Sequence, residues 1–246
     1  MKLAAIDIGS NAVRLLFTLT AETESGTKFH KVALIRVPVR LGLDSFLQGR
    51  ISDDRRSDLM KTMKAFALLI DVYGAEHHMG CATSALREAE NGEEIMKEIR
   101  KETGLDISLI DGELEARLIH ATHIAEDIDI DKSYLYIDVG GGSTELTVFS
   151  GGERRNSESF KIGTLRLKED LVTESDWKNL QNWIKENVKP YDVKAAIGTG
   201  GNINKLFKLS EIKDNDDPLP VKSLEKLHKY LSGYSQEERV NELGLR

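Results

Sequence analysis

Two short stretches of this chain are built the same way, and the repeat limits what the chain can fold into more than any other feature. Asp7-Ile8-Gly9-Ser10 and Asp138-Val139-Gly140-Gly141-Gly142-Ser143 each place an aspartate at the end of an apolar run. A turn of small residues follows in both, and then a second run of strand-forming residues. Leu3–Ile8 is too short for a helix and is stopped by Gly9; Val13–Leu19 resumes as a strand. Tyr134–Val139 and Glu145–Phe149 repeat the pattern around the second turn. Two such units predict two α/β halves of similar construction, with both turns facing one cleft.

The rest of the chain supplies the helices. Leu59, Met63, Phe66, Ile70 and Tyr73 recur at spacings of three and four, so Asp53–Tyr73 is expected to be a helix with one apolar stripe. Trp177, Leu180, Ile184 and Val188 form the stripe of a second long helix, which ends before Pro190. Glu113–Ala125 has helix composition, Ala82–Leu86 reads as a loop, and Ala195–Ile197 as a buried strand feeding G-T-G-G-N, with Asn202 as N-cap of the helix beyond. The acidic run Glu126–Lys132 is the best place for a domain boundary, dividing the chain into residues 1–126 and 127–246.

Composition excludes several classes. A formal net charge of −7 lacks the basic footprint of a nucleic-acid binder. It is compatible with a small or linear phosphoanhydride, because backbone amides and one or two arginines can build a local positive pocket. A single cysteine, Cys81, rules out an internal disulfide and a cysteine-based zinc site. No window nears the roughly 18 apolar residues that span a bilayer. Asp7 interrupts what would be the apolar part of a signal peptide, so a cytoplasmic protein without membrane contact is expected.

Gly140–Gly142 does not fit a dinucleotide fingerprint or a nucleotide P-loop. Both open a helix, and a P-loop ends in G-K-S or G-K-T, whereas Thr144–Phe149 is strand-like and no lysine follows the glycines. The loop is instead a hairpin tip whose N–H groups can converge on an anion, because no Cβ blocks close approach. A glycine triplet alone is equally a tight turn. Asp138 and Glu145 on its flanks favour function, since carboxylates beside a phosphate cradle make sense with a divalent cation between them and the phosphate oxygens.

Five blocks then resemble one family in order: Asp7–Arg14 (D-I-G-S-N-A-V-R), Ala82–Arg87 (A-T-S-A-L-R), Gly112–Ile119 (G-E-L-E-A-R-L-I), Asp138–Leu146 (D-V-G-G-G-S-T-E-L) and Gly198–Asn202 (G-T-G-G-N). They look like the exopolyphosphatase / guanosine pentaphosphate phosphohydrolase family, of the sugar kinase, Hsp70 and actin superfamily. The resemblance implies two ribonuclease-H-like (actin-like ATPase) domains with the substrate between them, a homodimer, a divalent metal such as Mg2+, and release of terminal phosphate from polyphosphate or pppGpp. Position by position, Glu115 matches the catalytic base. Asp138 and Glu145 match the metal-associated acids, which Asp7 joins. Ser10, Asn11, Arg87, Gly140, Gly141, Gly142 and Ser143 match the phosphate-binding set, and Arg14 is placed with them. Two departures stand out. Leu114-Glu115 replaces the family's usual pair of glutamates, and the second domain is expected to lack the family's further C-terminal helical segment.

The expected reaction is in-line attack of water, with Glu115 as base, Arg87 and Glu145 supporting, and the turns and metal neutralising the phosphoryl oxygens. The competing functions are an ATP-using kinase or ATPase of the same superfamily and a non-enzymatic polyphosphate or pppGpp sensor. His77-His78, His120 and His123 lack the company of a metal site, and Trp177 and Trp183 read as core or domain-contact residues.

Overall fold

The computed structural model describes residues 1–23, 26–112, 114, 118, 129, 131–210 and 218–243. Glu115, His120, His123 and the 126/127 boundary lie outside the described residues.

The first half runs β1 (Lys2–Ile8), β2 (Val13–Thr23), β3 (Gly26–Val37), α1 (Leu41–Gln48), α2 (Asp53–Tyr73), β4 (His77–Ala82), α3 (Ser84–Glu88), α4 (Gly92–Thr103) and β5 (Ile107–Leu109). Its sheet has the order β3-β2-β1-β4-β5. β1, β2 and β3 form an antiparallel meander, and β4 and β5 add on parallel to β1. Period-2 alternation turns Ile6, Ile8, Val13, Leu15 and Phe17 to one face, where they meet Leu59, Met63, Phe66 and Ile70 of α2 and Ile95 and Ile99 of α4. Ser52 starts α2 by accepting a hydrogen bond from the Arg55 N–H, and Gly74, at φ 67°, ends it.

The second half contains β6 (Ser133–Val139), β7 (Thr144–Ser150), β8 (Glu153–Phe160), α5 (Thr164–Lys168), α6 (Glu174–Asn187), β9 (Ala195–Thr199), α7 (Gly201–Leu209), α8 (Val221–Ser232) and α9 (Gln236–Asn241). Its sheet, β8-β7-β6-β9, repeats the first four positions of the first sheet in direction as well as order. Leu135, Leu146, Val148, Phe160 and Ile162 form its core against Leu180, Trp183 and Ile184 of α6. A Thr173/Asp176 capping box fixes where α6 begins.

Several local expectations are corrected. Ala82–Leu86 is expected as loop, but its last three residues open the helix α3. β9 is not buried: Ala195, Ala196 and Gly198 are exposed, because β9 is the edge strand of its sheet. Gly200, at φ 98°, is the N-cap of α7, and Asn202 lies inside that helix. Trp177 is 42% exposed and is no core residue, whereas Trp183 packs edge-on to Phe160.

Candidate active site

Matching registers in the two sheets define the site. Asp7 pairs with Arg14 across β1 and β2, and Asp138 pairs with Glu145 across β6 and β7. Each hairpin closes through the same bond, Gly9 N–H to Ala12 O (3.1 Å) and Gly140 N–H to Ser143 O (2.9 Å). Ser10 is thus the counterpart of Gly141, and Arg14 of Glu145.

The segment after the third strand of each half anchors the hairpin tip. At the start of α1, Gly42 N–H donates to Ser10 O (2.8 Å) and Arg40 N–H to Asn11 O (3.0 Å). At the start of α5, Thr164 N–H donates to Gly140 O (3.0 Å) and Leu165 N–H to Gly141 O (2.8 Å). The tip carbonyls are therefore engaged away from the cleft, and the N–H groups of Gly141, Gly142 and Ser143 make no main-chain bond among the described residues.

The two tips meet. A Cβ added to Gly141 would lie 3.2 Å from Ser10 Cβ, and one added to Gly142 would lie 2.4 Å from Phe46 Cζ and 2.7 Å from Ser84 Oγ. Only glycine allows so close an approach at Gly142. The hydroxyls of Ser10 and Ser84 are 2.9 Å apart and buried, so Ser84 joins the first turn to the start of α3. The sequence reading missed Ser84, although it lies one helical turn before Arg87 in the A-T-S-A-L-R block.

Around the tips lie the charged groups. Arg14 donates to Asp7 across the first hairpin, both side chains being half exposed. Burial pushes the Asp138 carboxyl above the usual carboxylate range; the neighbouring Thr199 hydroxyl opposes the shift, Asp7 adds to it and Arg14 opposes it. Burial likewise raises Glu145, which is 4% exposed, against the hydroxyls of Ser143 and Ser159 and the more distant Arg87. Ser159 Oγ donates to Glu145 Oε1 at 2.8 Å from the facing position on β8. Arg87 is braced by donating to Ile110 O at 2.6 Å.

Ser10, Asp7, Arg14, Arg87, Asp138, Glu145 and the Gly140–Ser143 loop thus share one neighbourhood. Glu115 lies outside the described residues, but the block that carries it begins there. Asp111 Oδ1 accepts from Leu114 N–H at 2.7 Å, and a Cβ at Gly112 would come 2.8 Å from Ser159 Cβ. Among the described residues, no group of three or more His, Cys, Asp or Glu side chains is arranged to hold a metal ion. Nor is any helix there long and apolar enough to cross a membrane. An open pocket between β8 and α6, lined by Asn179, Trp183 and Glu186 among others, touches this neighbourhood only through Ser159.

Comparison with known proteins identifies the family. The profile of the Ppx/GppA phosphatase family matches residues 19–245. A bifunctional 3-dehydroquinate synthase/phosphatase from Fusobacterium nucleatum is 29% identical over 98% of this chain and 38% of its own length. Exopolyphosphatase 1 of Mycobacterium bovis is 30% identical over 70% of this chain and 49% of its own. The chain therefore spans half or less of the length of these curated relatives. The crystal structure of the Aquifex aeolicus Ppx/GppA family member superposes with a TM-score of 0.77 at 26% identity, covering 98% of this chain and 82% of that one. An exopolyphosphatase structure from Cytophaga hutchinsonii shares the fold, with a TM-score of 0.81 at 24% identity over 98% and 83% of the two chains. The profile runs through both halves, and both sheets follow the architecture of solved members: the chain belongs to the Ppx/GppA phosphatase family.

Proposed function

We propose that the chain hydrolyses the terminal phosphoanhydride of inorganic polyphosphate or pppGpp in the cleft between its two units, residues 1–126 and 127–246. The observation that carries this reading is the apposition of two glycine- and serine-lined hairpin tips, with Asp138 and Glu145 at the base of one and Asp7 and Arg14 at the base of the other.

Each residue then has a physical task. The N–H groups of the Gly140–Ser143 turn, together with Ser10 and Asn11, bind non-bridging oxygens. Arg87 offsets their charge with a planar fork suited to two oxygens. Glu115 takes a proton from the attacking water as the new P–O bond forms and the anhydride P–O bond breaks, releasing orthophosphate and a chain one phosphate shorter.

A divalent cation fits the donor set. Asp138 and Glu145 face each other on adjacent strands, a repulsive pairing for two carboxylates, and burial has raised both. Hard oxygen donors of this kind suit magnesium, which this pair would hold with water and phosphate oxygens completing the shell. The ion would neutralise charge on the transferring phosphoryl group. The proposed form is a cytoplasmic homodimer.

The test is orthophosphate release from polyphosphates of graded length, pppGpp and ATP, with magnesium and with a chelator. Release from polyphosphate or pppGpp that stops on chelation supports the reading. Turnover of ATP alone would replace it with a kinase or ATPase function, and tight binding without release would make the protein a sensor.

A further inference from the structure

Arg166 belongs to none of the motif blocks, yet it is the one buried lysine or arginine among the described residues. Burying a guanidinium is costly unless its donors are used, and here two nitrogens are bonded and the ring face of Phe46 lies against the group. Nε donates to Gly142 O at 2.8 Å, Nη2 donates to Glu88 Oε2 at 2.6 Å, and the guanidinium lies 4.1 Å from the centre of the Phe46 ring. Gly142 belongs to the second half, whereas Glu88 and Phe46 belong to the first.

The bond to Gly142 completes a series. Residues 164, 165 and 166 hold the carbonyls of Gly140, Gly141 and Gly142 in turn, the first two through main-chain N–H groups and the third through the Arg166 side chain. In a trans peptide the C=O and the following N–H point in opposite directions, and none of the described peptides is cis. Fixing these three carbonyls toward α5 therefore aims the N–H groups of Gly141, Gly142 and Ser143 away from it. The Arg166 main-chain N–H makes no bond to Gly142 O, and the side chain holds that carbonyl in its place. The same guanidinium grips Glu88, next to Arg87 on α3.

We propose that Arg166 is a positioning residue for the phosphate cradle: it sets the Gly142–Ser143 peptide so that Ser143 N–H meets a phosphate oxygen, and it holds that peptide at a fixed place relative to Arg87. This rests on the reading that the glycine turn binds phosphate.

The test compares wild type with Arg166→Met and Arg166→Lys, using tripolyphosphate with magnesium as substrate and calorimetric titration of orthophosphate as the binding probe. Arg166→Met keeps much of the side-chain volume but has no donor. Arg166→Lys keeps the charge and stem, so it folds where the neutral variant fails, but it lacks the two-pronged fork. In each, KM is expected to rise and orthophosphate affinity to fall about tenfold, with kcat within about threefold, the pattern of lost uniform binding. A purely structural role would lower apparent kcat through the folded fraction and leave KM alone. KM and phosphate affinity at wild-type levels in a folded variant, beside an active wild type, would overturn the role of Arg166 and leave the hydrolase reading intact. A wild type that neither binds orthophosphate nor cleaves tripolyphosphate overturns the hydrolase reading and this role with it.

Discussion

Gly163→Ala tests how tightly the glycine turn is held. Gly163 has φ −132° and ψ 162°, extended backbone that alanine adopts freely, so the substitution adds no conformational strain. Its cost comes from contact. A Cβ there would lie 2.4 Å from both Gly141 O and Gly142 C, and 2.5 Å from Gly141 C. Carbon atoms rest roughly 3.5–4.0 Å apart, so the overlap is large, and every atom it meets is main chain that cannot rotate aside. Overpacking of this kind costs about 1–3 kcal/mol. At about 2–4 °C per kcal/mol for a chain of this size, melting should fall by roughly 2–12 °C. The backbone that yields is the phosphate turn itself, so KM should rise as well. Gly201→Ala is the matched control, since a Cβ at the start of α7 meets nothing within 4 Å. Differential scanning fluorimetry and steady-state kinetics on the same preparations give both readouts. A Gly163→Ala protein melting within about 1 °C of wild type, with KM unchanged, would show that residues 163–166 do not press on the turn.

Other outcomes follow from the same site. Glu115→Gln should lower phosphate release by roughly 10²–10⁴-fold, the usual contribution of a general base, while orthophosphate affinity measured by titration stays near wild type. Glu145 has a folded-state pKa raised by burial, so folding favours its protonated form. Its contribution to metal-free stability is therefore unfavourable above the folded pKa and vanishes below the unfolded value near 4.3. Glu145→Gln should melt above wild type at neutral pH without magnesium, with the gap closing as pH falls toward 4; a gap that widens on acidification would contradict this. Arg14→Ala removes an ion pair that is more than a third exposed on both sides, so it should cost less than about 1 kcal/mol in urea unfolding. A larger loss would mean that Arg14 holds the fold.

The strands and long helices were readable because their signals are local. Gly9 and Gly140 mark hairpin tips, and the stripes of α2 and α6 repeat over several turns. Three of the short helices were not. α1 follows Arg40, which has a left-handed backbone and makes no side-chain cap bond, so no start signal exists in the sequence. α3 and α5 are five residues each and also lack a side-chain cap bond, too brief for periodicity to show. β9 resembled a buried strand because Ala195–Ile197 is apolar, but sheet order decides exposure and composition does not reveal it. The candidate residues were legible as motifs, whereas their supports were not. Ser159 matters through its strand register opposite Glu145. Arg166 matters through a partner 78 positions away, and nothing in its immediate neighbours marks it.

The two hairpins agree in fold, register and closing bond, yet carry opposite charge where Arg14 and Glu145 occupy corresponding places. A linear polyphosphate reads the same from either terminus, so the polymer itself cannot tell an enzyme which way to travel. Under the proposed reaction that directionality must come from the protein. A duplicated scaffold with one charge-paired wall, Asp7 with Arg14, and one acidic wall, Asp138 with Glu145, gives the bound chain a front and a back.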